Sequence, residues 1–344
     1  METTRSTKHR KRKKHPLKTF FKVFGVILLG IGFAFGGLVI KYYLNLESTM
    51  DKINTPLKND TSVKADEEKL NDKKPFSILL IGTDAREDEE NGRSDTLILV
   101  TVNKQKDTVE MLSIPRDTEV TYSDGDIGKI NASYSYDGAQ GSVDAVENLM
   151  DGIPIDYFVS INMNGFKDLV DAVGGITVTN DVDLTEVNPK FKKGEIELNG
   201  TEALQYVRIR HEDPRGDFGR QDRQKDVIVG ICDKVAKSTA GITNFSKIMD
   251  AVGDNVQTNL SLDDITVIAK NYASVLDGTI NDLELEGDDQ MIYSAAYGFD
   301  LYYFVPHQDS IDKNVQIMEE QLGISSNSST NSDSGTDDST TSTE

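Results

Sequence analysis

The sequence predicts an α/β domain preceded by one membrane-spanning helix. Three short apolar runs are rich in Ile, Leu and Val and are bounded by polar turn residues, so they predict strands. They are Phe76–Ile81, Thr96–Val102 and Val109–Ile114. Farther along the chain, segments with helical periodicity alternate with further strand-like runs. Upstream of all of these, Val23–Ile40 is uncharged and mostly apolar. As a helix it would be about 27 Å long, close to the thickness of a bilayer's hydrocarbon core.

The charge around the apolar run predicts its orientation. Residues 1–18 carry a net charge of +7, whereas the whole chain carries -21, which leaves -28 on the remainder. A basic flank stays in the cytoplasm. We therefore predict a cytoplasmic tail (residues 1–19), an anchor (residues 20–40) and an extracellular stalk (residues 41–74). A cleaved signal peptide is the alternative, but no A-x-A-like site follows the run. The basic tail would also suit a nucleic-acid arm, although its position beside the anchor favours the topological signal.

Cysteine usage indicates the compartment. Cys232 is the single cysteine of 344 residues, so the domain outside the membrane has no internal disulfide. This argues against a eukaryotic secreted protein and fits a bacterial cell-surface enzyme. Cys232 lies in an apolar helical stretch, which predicts a packing role.

The first three strands bring charged residues together. Asn103–Asp107 is short enough for a tight turn, which makes the second and third strands antiparallel. If the loop Ala85–Ser94 also reverses the chain, the polar ends of all three strands meet at one edge of the sheet. The residues gathered there are Asp84, Arg93, Asp95, Arg116 and Asp117. Carboxylates beside guanidiniums suit a metal ion and a phosphate group. The alternative is solvated turn residues and surface ion pairs.

The rest of the chain continues the alternation of helix and strand. Asn180–Gly194 is a long polar segment, and after Gly323 the composition predicts a disordered tail, so the domain spans residues 75–323 and the tail residues 324–344. Helices are predicted over Lys129–Tyr136, Gln140–Met150, Met163–Val173, Leu198–Leu204, Phe218–Lys237, Ile242–Val252, Leu262–Val275 and Pro306–Leu322, and strands over Ile155–Ile161, Ile176–Thr179, Asn281–Glu286 and Leu301–Val305.

Two segments in the middle of the chain concentrate arginine. If Tyr206–Arg210 is extended, Arg208 and Arg210 lie on one face, where they repel each other unless an anion lies between them. A solvent-facing edge with protective charges is the alternative. Nearby, Asp217 can cap the helix that follows.

The start of that helix carries a second polar group. Arg220, Arg223 and Gln224 share one face there, and helix N-termini favour anions. An ordinary solvated first turn is the alternative.

The chemistry that remains is phosphoryl transfer. The sequence contains no H-E-x-x-H, Walker A, G-x-S-x-G or zinc-type Cys/His pattern. Two of the four histidines, His9 and His15, lie in the basic tail, which argues against a histidine-based triad. Arginine binds phosphate through its planar fork, and paired carboxylates hold a divalent cation. ATP is scarce outside the cell, so a lipid-linked diphosphate is the available substrate class.

Six motifs resemble those of the LytR-CpsA-Psr family over roughly residues 76–235. They are GTDAR, GRSDT, SIPRDT, KINASYSY, ALQYVRIR and DFGRQDRQKDVI, in this order. The resemblance implies an α/β/α sandwich around a mixed central sheet, with a hydrophobic pocket for a polyprenyl chain. It also implies an enzyme of the Gram-positive cell membrane that acts on undecaprenyl diphosphate-linked glycopolymers. Such an enzyme moves wall teichoic acid or capsular polysaccharide to the C6 hydroxyl of N-acetylmuramic acid in peptidoglycan.

The resemblance also assigns residue roles. Asp84 and Asp95 match the carboxylates around Mg²⁺ (or Mn²⁺), and either is a candidate base. Arg93 and Arg116 match catalytic arginines. The diphosphate ligands implied are Arg116, Arg208, Arg210, Arg220, Arg223, Gln224 and Lys129.

Three other functions remain open. A polyprenyl-diphosphate hydrolase or a non-catalytic binder of lipid-linked glycans would use the same residues. A transcriptional regulator is disfavoured because no helix-turn-helix pattern is present, and no nucleic-acid partner is expected.

Overall fold

The computed structural model describes residues 52–58, 69–84, 92–122, 125–237, 248–249, 251–294 and 298–324. The predicted cytoplasmic tail and anchor lie outside these residues, as do much of the stalk and all but the first residue of the C-terminal tail. Within the described ranges, no helix is long and apolar enough to cross a membrane.

Short strands dominate the first half of the domain, and helices cover them. The strands are β1 Phe76–Thr83, β2 Ser94–Asn103, β3 Thr108–Ile114, β4 Glu119–Thr121, β5 Ile127–Lys129, β6 Tyr157–Asn162, β7 Ile176–Asn180, β8 Gly194–Leu198, β9 Val256–Thr258, β10 Thr279–Glu284, β11 Gly287–Ser294 and β12 Phe299–Pro306. The α-helices are α1 Ser133–Leu149, α2 Met163–Ala172, α3 Gly200–Tyr206, α4 Asp217–Lys237, α5 Leu262–Asn271 and α6 Gln308–Leu322.

A mixed six-stranded sheet forms the centre, in the order β10-β3-β2-β1-β6-β9. The pairs β1–β2, β2–β3 and β6–β9 are antiparallel, whereas β1–β6 and β3–β10 are parallel. The predicted tight turn between β2 and β3 is confirmed. The Asn103 side chain shapes it by accepting hydrogen bonds from the backbone of Gln105 and Lys106.

Alternate side chains of the central strands pack against helices on opposite faces of the sheet. Leu79, Leu99 and Leu112 belong to one core, together with residues of α1 and α6. Phe76, Ile98 and Met111 belong to the other, which contacts α4 and α5. This arrangement confirms an α/β domain with a mixed central sheet between two helical layers. It follows from the period of two along a strand, which gives each buried strand two apolar faces.

Several short elements differ from the sequence prediction. The two helices expected around residues 129–150 form α1 after a single 3-10 turn, and Asp137 and Gly138 have non-helical backbone angles where a break was expected. The residues around Tyr122, for which no helix or strand was predicted, contain the β4–β5 hairpin. Strands β8, β9 and β11 were also missed. These strands are short or contain many polar residues. The local sequence pattern therefore does not distinguish them from loops.

The C-terminal hairpin, β11 with β12, is attached beside the end of β3. The Phe304 N–H donates to the Asp117 carbonyl at 3.0 Å, and Thr118 forms an isolated bridge with Phe304. A segment near the C-terminus therefore reaches the sheet edge where the charged residues of the first strands were expected.

Candidate active site

The carboxylates of Asp84 and Asp95 flank the paired ends of β1 and β2. Thr83 pairs with Ser94 and Gly82 with Thr96, so Asp95 is the extra residue of a β-bulge. Bulges change the direction of a side chain and are common beside active sites. Asp84 closes the adjacent loop, because its Oδ1 accepts the Arg93 N–H at 2.6 Å and its own N–H donates to the Arg93 carbonyl.

Arg116, just after β3, lies between two carboxylates. Its Nη1 donates to Asp95 Oδ1 at 2.9 Å, and its Nε donates to Asp117 Oδ2 at 3.4 Å. Burial alone would lower the pKa of Arg116, but the hydrogen bonds and charges of Asp95 and Asp117 raise it above the usual arginine value. The two carboxylates thus hold the guanidinium in one orientation and stabilise its positive charge.

Lys129 extends this chain of charges toward the C-terminal hairpin. It donates to Asp117 Oδ1 at 2.6 Å, and its Nζ lies 5.7 Å from the centre of the Tyr302 ring. Burial is the largest cause that raises the pKa of Tyr302 to about 12, and the hydrogen bond to Asp289 is the second. The charge of Asp117 also raises this pKa, whereas the charge of Arg210 lowers it. The hairpin therefore contributes to the same electrostatic environment as the strand ends.

A second pair of arginines approaches from α4 and the segment before it. Asp217 Oδ1 is 2.9 Å from Arg220 Nη2 and 3.3 Å from Arg210 Nε. Burial lowers the pKa of Arg220, and the charges of Arg116 and Arg210 lower it further against the opposite effects of Asp217 and Asp95. The Nε of Arg220 is buried and has no hydrogen-bond acceptor among the described residues. A buried donor of this kind indicates an absent acceptor.

Gln224 ties α4 to the sheet one turn later. Its Nε2 donates to Thr96 Oγ1 at 3.1 Å, directly after the bulge at Asp95. Thr96 in turn lies so close to Gly82 that an added Cβ there would be 3.0 Å from the Thr96 Cβ. Glycine at this position lets β1 approach β2 and keeps the two carboxylates on neighbouring strand ends.

The structure buries Arg223 in the interior of the protein. Its side chain is only 1% exposed, and it donates to the carbonyls of Tyr206 and Ile209 and to the carboxylate of Asp213. This corrects the expectation that Arg223 shares one polar face with Arg220 and Gln224. Arg223 follows Arg220 by three residues on α4, and its side chain lies in the interior of the protein, where it binds three acceptors.

The segment Tyr206–Arg210 is also not extended. Helix α3 ends at Tyr206, and Val207 has helical backbone angles at its C-cap. The burial still alternates, because Val207 and Ile209 are buried and Arg208 is exposed. The prediction of two arginines on one extended face is therefore wrong, although Arg210 reaches the site.

The sequence-predicted residues thus divide into two sets. The structure brings together Asp84, Asp95, Arg116, Lys129, Arg210, Arg220 and Gln224, with the backbone of Arg93 bound to Asp84. Asp117 also belongs to this group, as expected from its position after Arg116 at the end of the third strand. In the second set, the Arg93 and Arg208 side chains are exposed and Arg223 is buried on Asp213. Two participants were missed: Asp217, which was expected only to cap its helix, and Tyr302, which had no signal in the sequence.

Comparison with known proteins supplies independent findings. The model of the LytR_cpsA_psr family matches residues 40–320. The polyisoprenyl-teichoic acid–peptidoglycan teichoic acid transferase TagU of Bacillus subtilis is 41% identical over 315 residues, which cover 91% of this chain and 98% of TagU. The structure of Lin1025 from Listeria innocua is 62% identical, with a TM-score of 0.66, covering 74% of this chain and all of that one. The structure of TagT bound to LIIa-WTA is 32% identical, with a TM-score of 0.63, covering 74% of this chain and 93% of that one.

Proposed function

This chain belongs to the LytR_cpsA_psr family, and from that membership and the site described above we propose that it joins an anionic glycopolymer to peptidoglycan. The enzyme is a glycopolymer–peptidoglycan transferase. Its donor is a polyprenyl diphosphate-linked polymer such as wall teichoic acid or capsular polysaccharide, and its acceptor is the C6 hydroxyl of N-acetylmuramic acid.

One observation supports the diphosphate as substrate more than any other. The charges of Arg116 and Arg210 both act on the partly buried Arg220, and the Arg220 Nε has no acceptor among the described residues. Like charges gathered in this way are stabilised by a bound anion, and a guanidinium matches phosphate oxygens in geometry. A diphosphate provides enough oxygens for several of these donors at once.

The donor set also fits a magnesium ion. Among the described residues, hydrogen bonds engage one oxygen of each carboxylate, Oδ1 of Asp84 and Oδ1 of Asp95. No group of three or more His, Cys, Asp or Glu side chains in the described part of the chain could hold a metal. Two carboxylates suit Mg²⁺ or Mn²⁺, since Mg²⁺ takes one or two carboxylates and completes its shell with water and substrate phosphates. When bound, the ion would neutralise charge on the diphosphate oxygens.

The proposed reaction uses the charged groups of the site. The C6 oxygen of the acceptor attacks the phosphorus attached to the glycan, and the bond from that phosphorus to the bridging oxygen breaks. Asp84 or Asp95 accepts the hydroxyl proton, while Arg116, Arg210 and Arg220 stabilise the charge that develops on the phosphate oxygens. Polyprenyl phosphate leaves, and a phosphodiester joins the polymer to the wall.

The location proposed for the enzyme rests on the N-terminal sequence. The basic residues 1–18 and the apolar run Val23–Ile40 support a single-pass anchor with the domain outside the cell. Such an anchor would keep the site close to a donor that is itself held in the bilayer, which raises the effective concentration of the two partners.

A transfer assay on defined substrates tests the proposal. Purified full-length protein is incubated with a synthetic polyprenyl diphosphate-linked disaccharide, Mg²⁺ and peptidoglycan oligomers, and the products are analysed by mass spectrometry. We expect the disaccharide joined to muramic acid through one phosphate. Free disaccharide phosphate alone would indicate the hydrolase, and tight donor binding without any turnover would indicate the non-catalytic binder.

A further inference from the structure

The outer part of the C-terminal hairpin exposes a row of apolar side chains. Met291 is 63% exposed, Tyr293 64% and Tyr302 36%. Met291 is paired with Tyr302, and Tyr293 lies two residues farther along β11, opposite Asp300. Side chains at such positions share one face of an antiparallel pair. Grouped apolar exposure of this kind marks a surface that binds something.

This face is continuous with the active site. Tyr302 lies beside Lys129, which binds Asp117, and Asp117 in turn contacts Arg116. The base of the same face is covered, because Phe304 packs against the core that lies under α1 and α6. The exposed face therefore begins at the catalytic charges and extends away from them along the hairpin.

The charge of the face limits what can bind to it. Asp289 accepts a hydrogen bond from the Tyr302 hydroxyl at 2.7 Å, and Asp300 is paired with Tyr293, so both carboxylates share the face with the apolar side chains. Such carboxylates repel the anionic polymer of the donor and anionic lipid headgroups. A largely uncharged sugar chain suits them, because its hydroxyl groups donate to carboxylates and the C–H faces of its pyranose rings stack on tyrosine.

We propose that this face binds the glycan strand of the acceptor peptidoglycan. The proposal rests on the proposed function, since it identifies where the acceptor sugar chain lies. The strand would run along the hairpin and present one muramic acid to the strand ends of the sheet. The acidic face would then separate the two substrates, with the anionic donor held by the arginines and the sugar-chain acceptor by the tyrosines.

The test compares acceptor and donor separately. Met291→Ser and Tyr293→Ser are made singly and together, since both side chains are largely exposed and their loss leaves the core unchanged. Val235→Ser serves as the control, because Val235 is an exposed apolar residue on α4 that is not part of the hairpin. Binding of polymer-free peptidoglycan glycan oligomers to the full-length protein is measured without donor, and KM is then measured for both substrates.

We expect the double variant to bind the oligomers about tenfold more weakly, which corresponds to 1.4 kcal/mol. Its acceptor KM should rise while its donor KM stays at the wild-type value, and the control should behave as wild type. Unchanged oligomer binding would overturn the proposal, as would a rise confined to the donor KM. Dimerisation that is lost in the variants would assign the face to a second copy of the chain instead. Because oligomer binding is measured without donor, this result is independent of whether the protein catalyses transfer.

Discussion

Replacing Arg223 should lower the free energy of unfolding of the protein rather than remove a contact with the substrate. Arg223→Met keeps most of the aliphatic length but removes the donors to Tyr206, Ile209 and Asp213. The charged side chains of Arg223 and Asp213 are both essentially inaccessible to solvent. Removal of one partner of a buried ion pair costs about 3–5 kcal/mol because the other charge stays buried. Asp213 retains Arg215, which places our estimate at the lower end, at about 3 kcal/mol.

The pH dependence of stability provides a second measure. Burial alone would raise the pKa of Asp213, but hydrogen bonds from Arg215 and Arg223 outweigh it and lower the pKa from 3.8 to about 2. A carboxyl with a lowered folded-state pKa stabilises the protein above its unfolded pKa, and this contribution is lost as the pH falls from about 4 toward 2. Arg223→Met should flatten this part of the stability curve, because the pKa of Asp213 would move back toward 3.8.

The assay is urea unfolding of Arg223→Met beside Arg220→Met, followed by transfer kinetics on folded protein. Arg220 lies three residues earlier on α4, with a donor that has no acceptor among the described residues. Its replacement leaves Asp217 the contact with Arg210 and removes that buried donor, so it should lower the free energy of unfolding less than Arg223→Met does but lower kcat/KM about 100-fold. The reasoning is refuted if Arg223→Met unfolds like wild type and loses transfer as Arg220→Met does, since Arg223 would then be a diphosphate ligand.

Four further predictions concern the site and the helix that supports it. Arg116→Lys keeps the charge but not the fork that joins two carboxylates, so kcat/KM should fall about 100-fold; wild-type kinetics would contradict this. Chelation of divalent cations should stop transfer, Mg²⁺ or Mn²⁺ should restore it, and Asp95→Asn should remain inactive at any Mg²⁺ concentration. Gly219→Ala places a Cβ 2.0 Å from the Asp213 carboxylate and should cost about 1–3 kcal/mol of unfolding free energy, measured in urea. Burial and neighbouring carboxylates raise the pKa of Asp226 to about 6, so Asp226→Asn should raise the thermal midpoint at pH 8 but not at pH 4, because only the ionised form is disfavoured in the folded state.

Local pattern was sufficient for the elements whose periodicity is strong. The three apolar runs before residue 115 became β1 to β3, and the helix predicted from residue 218 became α4. The tight turn at Asn103–Asp107 forced the antiparallel pairing that gathers the strand ends. These features depend on interactions between residues close in sequence, so the sequence alone contains the information.

Long-range packing decided the rest of the site. Helical spacing put Arg220 and Arg223 near one face of α4, but only the folded protein shows that the interior surrounds Arg223 with carbonyl acceptors. A turn at Val207, rather than the extended run considered from the sequence, follows the end of α3, and Arg223 binds the carbonyls on either side of it.

The sequence by itself determined the type of chemistry, through arginines and aspartates in six ordered motifs, and the order of most elements. Only the tertiary structure decided which of those charges meet. It added Asp217 and the C-terminal hairpin with Tyr302, which lies almost two hundred residues beyond Arg116 in the chain. The physical reason is that hydrogen bonds and burial depend on which segments pack together, and contacts between distant segments have no local signature in the sequence.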